Sequence, residues 1–316
     1  MINVVVRLPS KLILAGEHSV CYDQAAIVVA IKDPYLQLKF ALVNKHDTIK
    51  VELDNNRAEK ALKQICDDLK FDRACINLQI ESTVPFGSGF GSSASFCVGC
   101  VVAITVLTET KVDLDKIFQV ARNAEQIFHG GRSSGVDIVP YIHGGICRYD
   151  MAQGVIDKMK SDFFNFKILI ADTRIQRDTS KLNKILEMKF KLQKQSTDLI
   201  IKTLGSVTND MWTNLQGDKD YNMLKDHCYQ CHCLLKALGL SHPKLDLAVK
   251  IAEDYDIAAK MTGAGGGGCA IMFIDPSIHD KDKLCKQLRD NDFRVYDNVE
   301  LTNIGYTVEK YFPAEH

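Results

Sequence analysis

The sequence lacks a net charge, an apolar leader and any glycosylation acceptor, and each absence removes a class of protein. Lysine and arginine number 39 against 40 aspartate and glutamate, a formal charge of -1. No electrostatic case for nucleic acid or an anionic membrane surface follows from such a balance. Arg7, Ser10 and Lys11 break the N-terminus before a secretory h-region could form, and no N-x-S/T triplet occurs. The eleven cysteines therefore read as free thiols of a reducing compartment, most of them core fillers. A membrane span is missing too. Residues 83–108 carry no charge, but Gly99 and several hydroxyls interrupt them and their purely apolar part is too short.

What is present is the composition of a globular protein. With 46% hydrophobic and 25% charged residues over 316 positions, the chain suits one large domain or two ordinary ones. Neither an internal repeat nor a low-complexity linker appears. The first half is rich in strand patterns: "INVVVRLPSKLILAG" reads as two strands broken at Pro9, followed by 25–31, 35–43 and 76–84. The uncharged run predicts a helix buried on all sides, starting near Ser92. Residues 113–130 predict an amphipathic helix with Leu114, Ile117, Phe118, Ala121, Ala124, Ile127 and Phe128 on one face and Gly130 at its end. Strands at 166–172, 269–274 and 304–312 bracket long helices over 178–257, and a domain boundary falls near 160, giving domains 1–160 and 161–316.

Four stretches carry chemistry. In "VPFGSGFGSSAS" (84–95), glycines at 87, 89 and 91 precede Ser92 and Ser93 at the start of the buried helix. Glycine lets a backbone approach a ligand, and a helix N-terminus favours an anion, most naturally phosphate. An ordinary capped turn explains this stretch equally well. It is not the Walker pattern, since no lysine follows Gly91, and no acidic strand end stands where a dinucleotide ribose would need one. In "PSKLILAGEHSV" (9–20), Lys11 has an apolar setting and Glu17 and His18 follow a glycine. In "AEQIFHGGRSSGVDIV" (124–139), Glu125 and Asp137 could converge on a phosphate, one for the metal and one for the proton, or be solvated acids. In "KMTGAGGGGCAIMFI" (260–274), five glycines fall within six positions before a strand. Something approaches that backbone closely: an anion in the leading reading, a packed neighbour in the alternative. The run "HCYQCHC" (227–233) has metal-like residues, but apolar residues at helical spacing favour a buried helix face.

In this order the stretches resemble the GHMP kinase superfamily, and within it the mevalonate kinase branch. The motifs "KLILAGEHSV", "VPFGSGFGSSAS", "EQIFHGGRSSGVD" and "KMTGAGGGGCA" carry the likeness, with "QCHCLLKALGLSHPKLD" before the last. The resemblance implies an α+β, two-domain GHMP kinase fold: an N-terminal domain with a left-handed βαβ unit and a C-terminal ferredoxin-like α/β sandwich. It implies ATP-dependent phosphorylation of an alcohol, mevalonate by similarity, with ATP and Mg2+ as cofactors. Gly87, Ser88, Gly89, Phe90, Gly91, Ser92 and Ser93 would hold the ATP phosphates, and Ser93 and Glu125 the Mg2+. Asp137 would face the acceptor hydroxyl with Lys11 beside it. Glu17, His18, Thr173, Arg177, Gly263, Ala264 and Gly265 would border the acceptor, with Arg177 on its carboxylate.

Departures from the family pattern bear on the acceptor. Ser10 stands where mevalonate kinases usually carry glycine, and Ile138 follows Asp137 where they usually carry asparagine. The residues after His18 are Ser19 and Val20, unlike the galactokinase pattern, which argues against a sugar. A sister kinase for another small alcohol and a catalytically silent metabolite sensor are the rival readings, and a sensor would show a damaged constellation. Many relatives dimerise, so a homodimer is an expectation. The terminal "PAEH" is not a peroxisomal tripeptide, which makes the cytosol the expected location.

Overall fold

β1 (Asn3–Ala15) is one continuous strand where the pattern suggested two. Likewise β2 (Ala26–Leu42) runs unbroken through Pro34 instead of forming separate strands at 25–31 and 35–43. In the computed structural model, which describes residues 3–42, 56–72, 76–82, 90–131 and 133–311, both prolines fall in the same irregularity. The β1–β2 register slips between Leu8↔Leu36 and Ser10↔Ile31. No ladder bond is needed there, so a missing N–H does no harm and the paired strands bend together instead of ending.

β2 is the spine of the first sheet. β1 lies along one side of it, while β3 (Ile76–Ser82) and β4 (Ile146–Asp150) share the other side, pairing with its second and first halves. β5 (Gly154–Met159) extends the sheet beyond β4. Three helices cover one face: α1 (Asn56–Asp68), α2 (Ser92–Leu107) and α3 (Leu114–Glu125). Thirteen of the sixteen α2 residues are buried, as the uncharged pattern predicts. The helix approaches the sheet at Gly99, where a Cβ would lie 2.5 Å from Leu38 and 2.9 Å from Leu8. α3 is shorter than the pattern suggests. Ile117, Val120, Ala121 and Ala124 are buried, but Leu114 is exposed, and after Glu125 the chain tightens into turns up to Gly130. A short helix, α4 (Val139–His143), leads into β4.

The chain changes sheets between β5 and β6 (Lys167–Asp172). Four helices follow: α5 (Thr179–Leu192), α6 (Lys194–Gln216), α7 (Tyr221–Ala237) and α8 (Pro243–Glu253). Then come β7 (Ala258–Thr262), β8 (Cys269–Ile274), α9 (Lys281–Asp290) and β9 (Arg294–Val299). The antiparallel order β7-β8-β6-β9 is the ferredoxin-like arrangement, enlarged by extra helices between its first two strands. Cys228 and Cys231 are fully buried on α7, and His232 accepts from Met261 N and pairs with Asp246. The cysteine-rich run is thus a core-facing helix. Finally β10 (Thr307–Tyr311) returns to pair with β1, so the last strand belongs to the first sheet. Among the described residues no helix is long and apolar enough to cross a membrane.

Gly99 carries a checkable consequence. Gly99→Val forces α2 off the sheet and should cost about 1–3 kcal/mol, as overpacked cores do. Leu114→Ser, at an exposed position, should stay within about 0.5 kcal/mol. Denaturant midpoints of the two variants read the difference.

Candidate active site

Lys11 lies in the middle of β1 with 1% of its surface exposed, and its Nζ meets Asp137 Oδ1 at 2.5 Å. An ammonium this deep is tolerable only when paired, since removing it from water costs several kcal/mol. Asp137 is delivered by a sharp turn. Gly135 adopts φ +83°, and a Cβ there would overlap Phe118. Tyr149 OH donates to Ser134 O at 2.6 Å and fixes the same turn. Burial alone would push the Asp137 carboxyl up. The charge and hydrogen bond of Lys11, with the charges of His129 and Arg177, outweigh it and hold the group below its ordinary value.

Behind Asp137 stands Glu125, at the last turn of α3 and 1% exposed. Ser133 Oγ donates to its Oε2 at 2.5 Å, while Oε1 is buried without a hydrogen-bond partner. His129 Nε2 lies 3.5 Å from that Oε1 and 3.5 Å from Ser93 Oγ. Burial lowers the imidazole, but the neighbouring Glu125 carboxylate, helped by the charge of Asp137, raises it above its ordinary value. Ligand atoms of Glu125, His129 and Asp137 all lie within 4.8 Å of one another. An orphaned, buried carboxylate oxygen beside a hydroxyl is a donor set that fits a hard divalent cation.

Ser93 is placed by the start of α2. Gly91 is its N-cap at φ +83°, and no side chain caps the helix. The first N–H groups are thereby left for an anion. A Cβ on Gly91 would overlap the hydroxyl of Tyr141, which donates to Phe90 O at 3.1 Å and to Gly91 O at 2.9 Å. Lys11 N donates to Phe90 O at 3.3 Å, and the Phe90 ring packs edge-on against Tyr296 of β9. The end of the loop is thus clamped from both sheets. Gly87, Ser88 and Gly89 lie outside the described residues.

Lys11, Glu125, His129, Ser133 and Asp137 border a cleft between the two sheets that is open to solvent. From the second sheet's side, Arg177, Thr179, Asn183, Gly263 and Ala264 face it. Arg177 Nη1 is buried without a partner, and a Cβ on Gly263 would overlap it. Burial lowers the guanidinium from its ordinary value, against the opposing charge of Asp137. His18, at φ +59°, borders the cleft and meets Ala264 O through Nε2 at 2.8 Å.

Three expected site residues are placed otherwise. Glu17 borders the cleft, but Lys260 holds its carboxylate. Thr173 is fully buried and donates to Gly268 O at 2.7 Å, clasping the glycine run to β6 instead of facing the cleft. Gly265 packs against the turn after α7, where a Cβ would overlap Leu240 O. Gly266 N and Gly268 N donate to Leu240 O and Ile175 O at 2.9 and 3.0 Å. Close packing, the alternative in the sequence reading, accounts for Gly265 and Gly267. Ile138 is fully buried in the core under α2, so it does not border the cleft. His129, Ser133, Tyr141, Thr179 and Asn183 were not singled out as site residues. Only His129 had a local signal, its four-residue spacing from Glu125.

Comparison with known proteins now bears on the site. Residues 56–145 match the model of the GHMP kinases N terminal domain, and residues 213–290 that of the GHMP kinases C terminal domain. The chain belongs to the GHMP kinase family. It is 28% identical to a mevalonate kinase of Methanocaldococcus jannaschii, over 95% of this chain and all of the relative. Its fold is similar to a solved mevalonate kinase with TM-score 0.76 and 26% identity, covering 95% and 99% of the two chains. It is similar also to the Leishmania major mevalonate kinase in complex with R-mevalonate, with TM-score 0.77 and 22% identity over 94% and 96%. Members of this family are kinases that use ATP.

Tyr141 yields the site's first test. Tyr141→Phe strips one donor from the carbonyls of Phe90 and Gly91. A hydrogen bond of this kind contributes about 0.5–1.5 kcal/mol. KM for ATP should rise by roughly two- to tenfold while KM for the acceptor stays near wild type, and steady-state kinetics separate the two.

Proposed function

We propose that the protein is a mevalonate kinase, transferring the γ-phosphate of ATP to the 5-hydroxyl of mevalonate in isoprenoid synthesis. One observation carries the reading: the buried Lys11–Asp137 pair borders the cleft, with the uncapped N-terminus of α2 packed against the Lys11 stem and the buried, unpartnered Nη1 of Arg177 on the other side. A phosphate donor suits the helix N-terminus and a carboxylate-bearing alcohol the guanidinium. The named relatives, mevalonate kinases over most of both chains, favour the same acceptor.

Each residue then has a task. Gly91, Ser92 and Ser93 present backbone N–H groups and hydroxyls to the phosphates. Ser93 and Glu125 would hold Mg2+, which when bound neutralises phosphate charge. Lys11 Nζ holds Asp137 and reaches the acceptor oxygen, orienting a lone pair at the phosphorus. Asp137, kept ionised by Lys11, accepts a hydrogen bond from the acceptor hydroxyl and takes its proton late, as the oxygen loses basicity. Arg177 grips the carboxylate through its planar fork, and His18 closes the wall beside it. The reading adopts a cytosolic location and a homodimer as working expectations.

ADP release with mevalonate, phosphomevalonate, galactose and homoserine in parallel tests the assignment. Mevalonate should be preferred, and Asp137→Asn should cut its kcat by at least about a hundredfold, in the range of lost acid–base groups, while ATP binding persists. Turnover confined to another alcohol would overturn the acceptor and leave the kinase class standing. Arg177→Ala should raise KM for mevalonate roughly ten- to a hundredfold, from a charge-assisted contact of about 1.5–3 kcal/mol. KM for ATP should hardly move, and Arg177→Lys should recover only part of the loss.

A further inference from the structure

The acceptor side of the cleft is built from segments attached to different sheets. Glu17 and His18 follow β1, whereas Gly263 and Ala264 follow β7. Three contacts join them. Thr262 Oγ1 donates to Ile13 O at 2.8 Å and accepts from Ile13 N at 3.3 Å. His18 Nε2 meets Ala264 O at 2.8 Å. Between these two, Lys260 Nζ donates to Glu17 Oε1 and to Met261 O, the latter at 2.7 Å. Lys260 is 0% exposed and Glu17 1%.

A dry ion pair is an inefficient way to join two strands, because desolvation consumes most of the attraction and apolar packing does as well or better. What it supplies is direction. The ammonium can satisfy Glu17 and the Met261 carbonyl together only at one separation and one angle of the two segments. The consequence is felt two residues on. Gly263 fits against Arg177 so closely that a Cβ would overlap Nη1, and Ala264 receives His18. Lys260 therefore lies behind both walls of the pocket and does not itself border the cleft.

We propose that Lys260, through its buried pair with Glu17, is a positioning residue that sets the Arg177–Gly263–Ala264 wall against His18 and so fixes the width of the acceptor pocket. The proposal rests on reading this part of the cleft as the acceptor pocket. Glu17 thereby acts on the acceptor through Lys260 and not by direct contact.

The test compares Lys260→Met, Lys260→Arg and the double variant Glu17→Gln/Lys260→Met in the full chain, reading both KM values, kcat and Tm. Lys260→Met should raise KM for the acceptor tenfold or more with KM for ATP within twofold. Lys260→Arg, which keeps a donor charge, should restore part of the affinity. The double variant carries no unpaired buried charge, so it decides the matter if the single variant does not fold: it should keep the raised acceptor KM. A lower Tm with both KM values at wild type, in the single or the double variant, would show a purely structural pair and overturn the proposal. Should the wild-type protein ignore mevalonate, the acceptor assignment fails separately, and the same KM ratios are measured on the alcohol it does phosphorylate.

Discussion

A lysine ammonium inside the first strand constrains more of this molecule than any other group. Lys11 is 1% exposed and is satisfied by Asp137 at 2.5 Å, so the turn that delivers Asp137 must be held to within a fraction of an ångström. Gly135 permits that turn, Ser133 ties it to Glu125, and Tyr149 clamps its Ser134 carbonyl. The lysine stem also fills the space a Cβ on Gly91 would need, so the start of α2, Glu125 and the Asp137 turn are tied together around one side chain. Losing either partner of such a pair leaves an uncompensated buried charge, which costs about 3–5 kcal/mol. On the proposed reading, stability and catalysis therefore draw on the same residues.

The glycines divide along a line that physical reasoning from sequence left open. Gly91 and Gly263 are small because functional side chains, Tyr141 with Lys11 and Arg177, occupy the place of a Cβ. Gly265 and Gly267 are small because the Leu240 and Ile175 backbones do. In both cases something approaches the backbone closely, as the composition requires, but a string of letters does not distinguish a protein neighbour from a ligand.

That limit recurs across the fold. Patterns set by local burial were legible: the all-round apolar α2, the strands at 167–172 and 269–274, and the helices between them. The break expected at Pro9 and the separation of 25–31 from 35–43 failed because Pro9 and Pro34 sit opposite each other's irregularity, a pairing 25 residues apart that no window contains. At the site, Lys11, Glu125, Asp137, Arg177 and His18 all border one cleft. Tyr141 and Lys260 escaped notice because their partners are 50 and 243 residues away. Thr173 was misread because its hydroxyl serves a carbonyl 95 residues on.

On the proposed reading, the charge arrangement in the cleft also bears on how the proton would leave the acceptor. Lys11 and Arg177 oppose Asp137 and Glu125, so the four fixed charges sum to zero before any ligand enters. Asp137 is held below its ordinary value by those same cations, which keeps it ionised through the neutral range but makes it a weak base. In a loose phosphoryl-transfer transition state the attacking oxygen keeps its proton until bonding to phosphorus has advanced. Only then does its pKa fall far enough to meet that of a depressed carboxylate. A stronger base would gain nothing early and would sit less firmly on Lys11. The depressed carboxyl is therefore consistent with catalysis: it is the electrostatic cost of keeping the ammonium fixed beside the acceptor oxygen, and the chemistry tolerates it because proton transfer comes last.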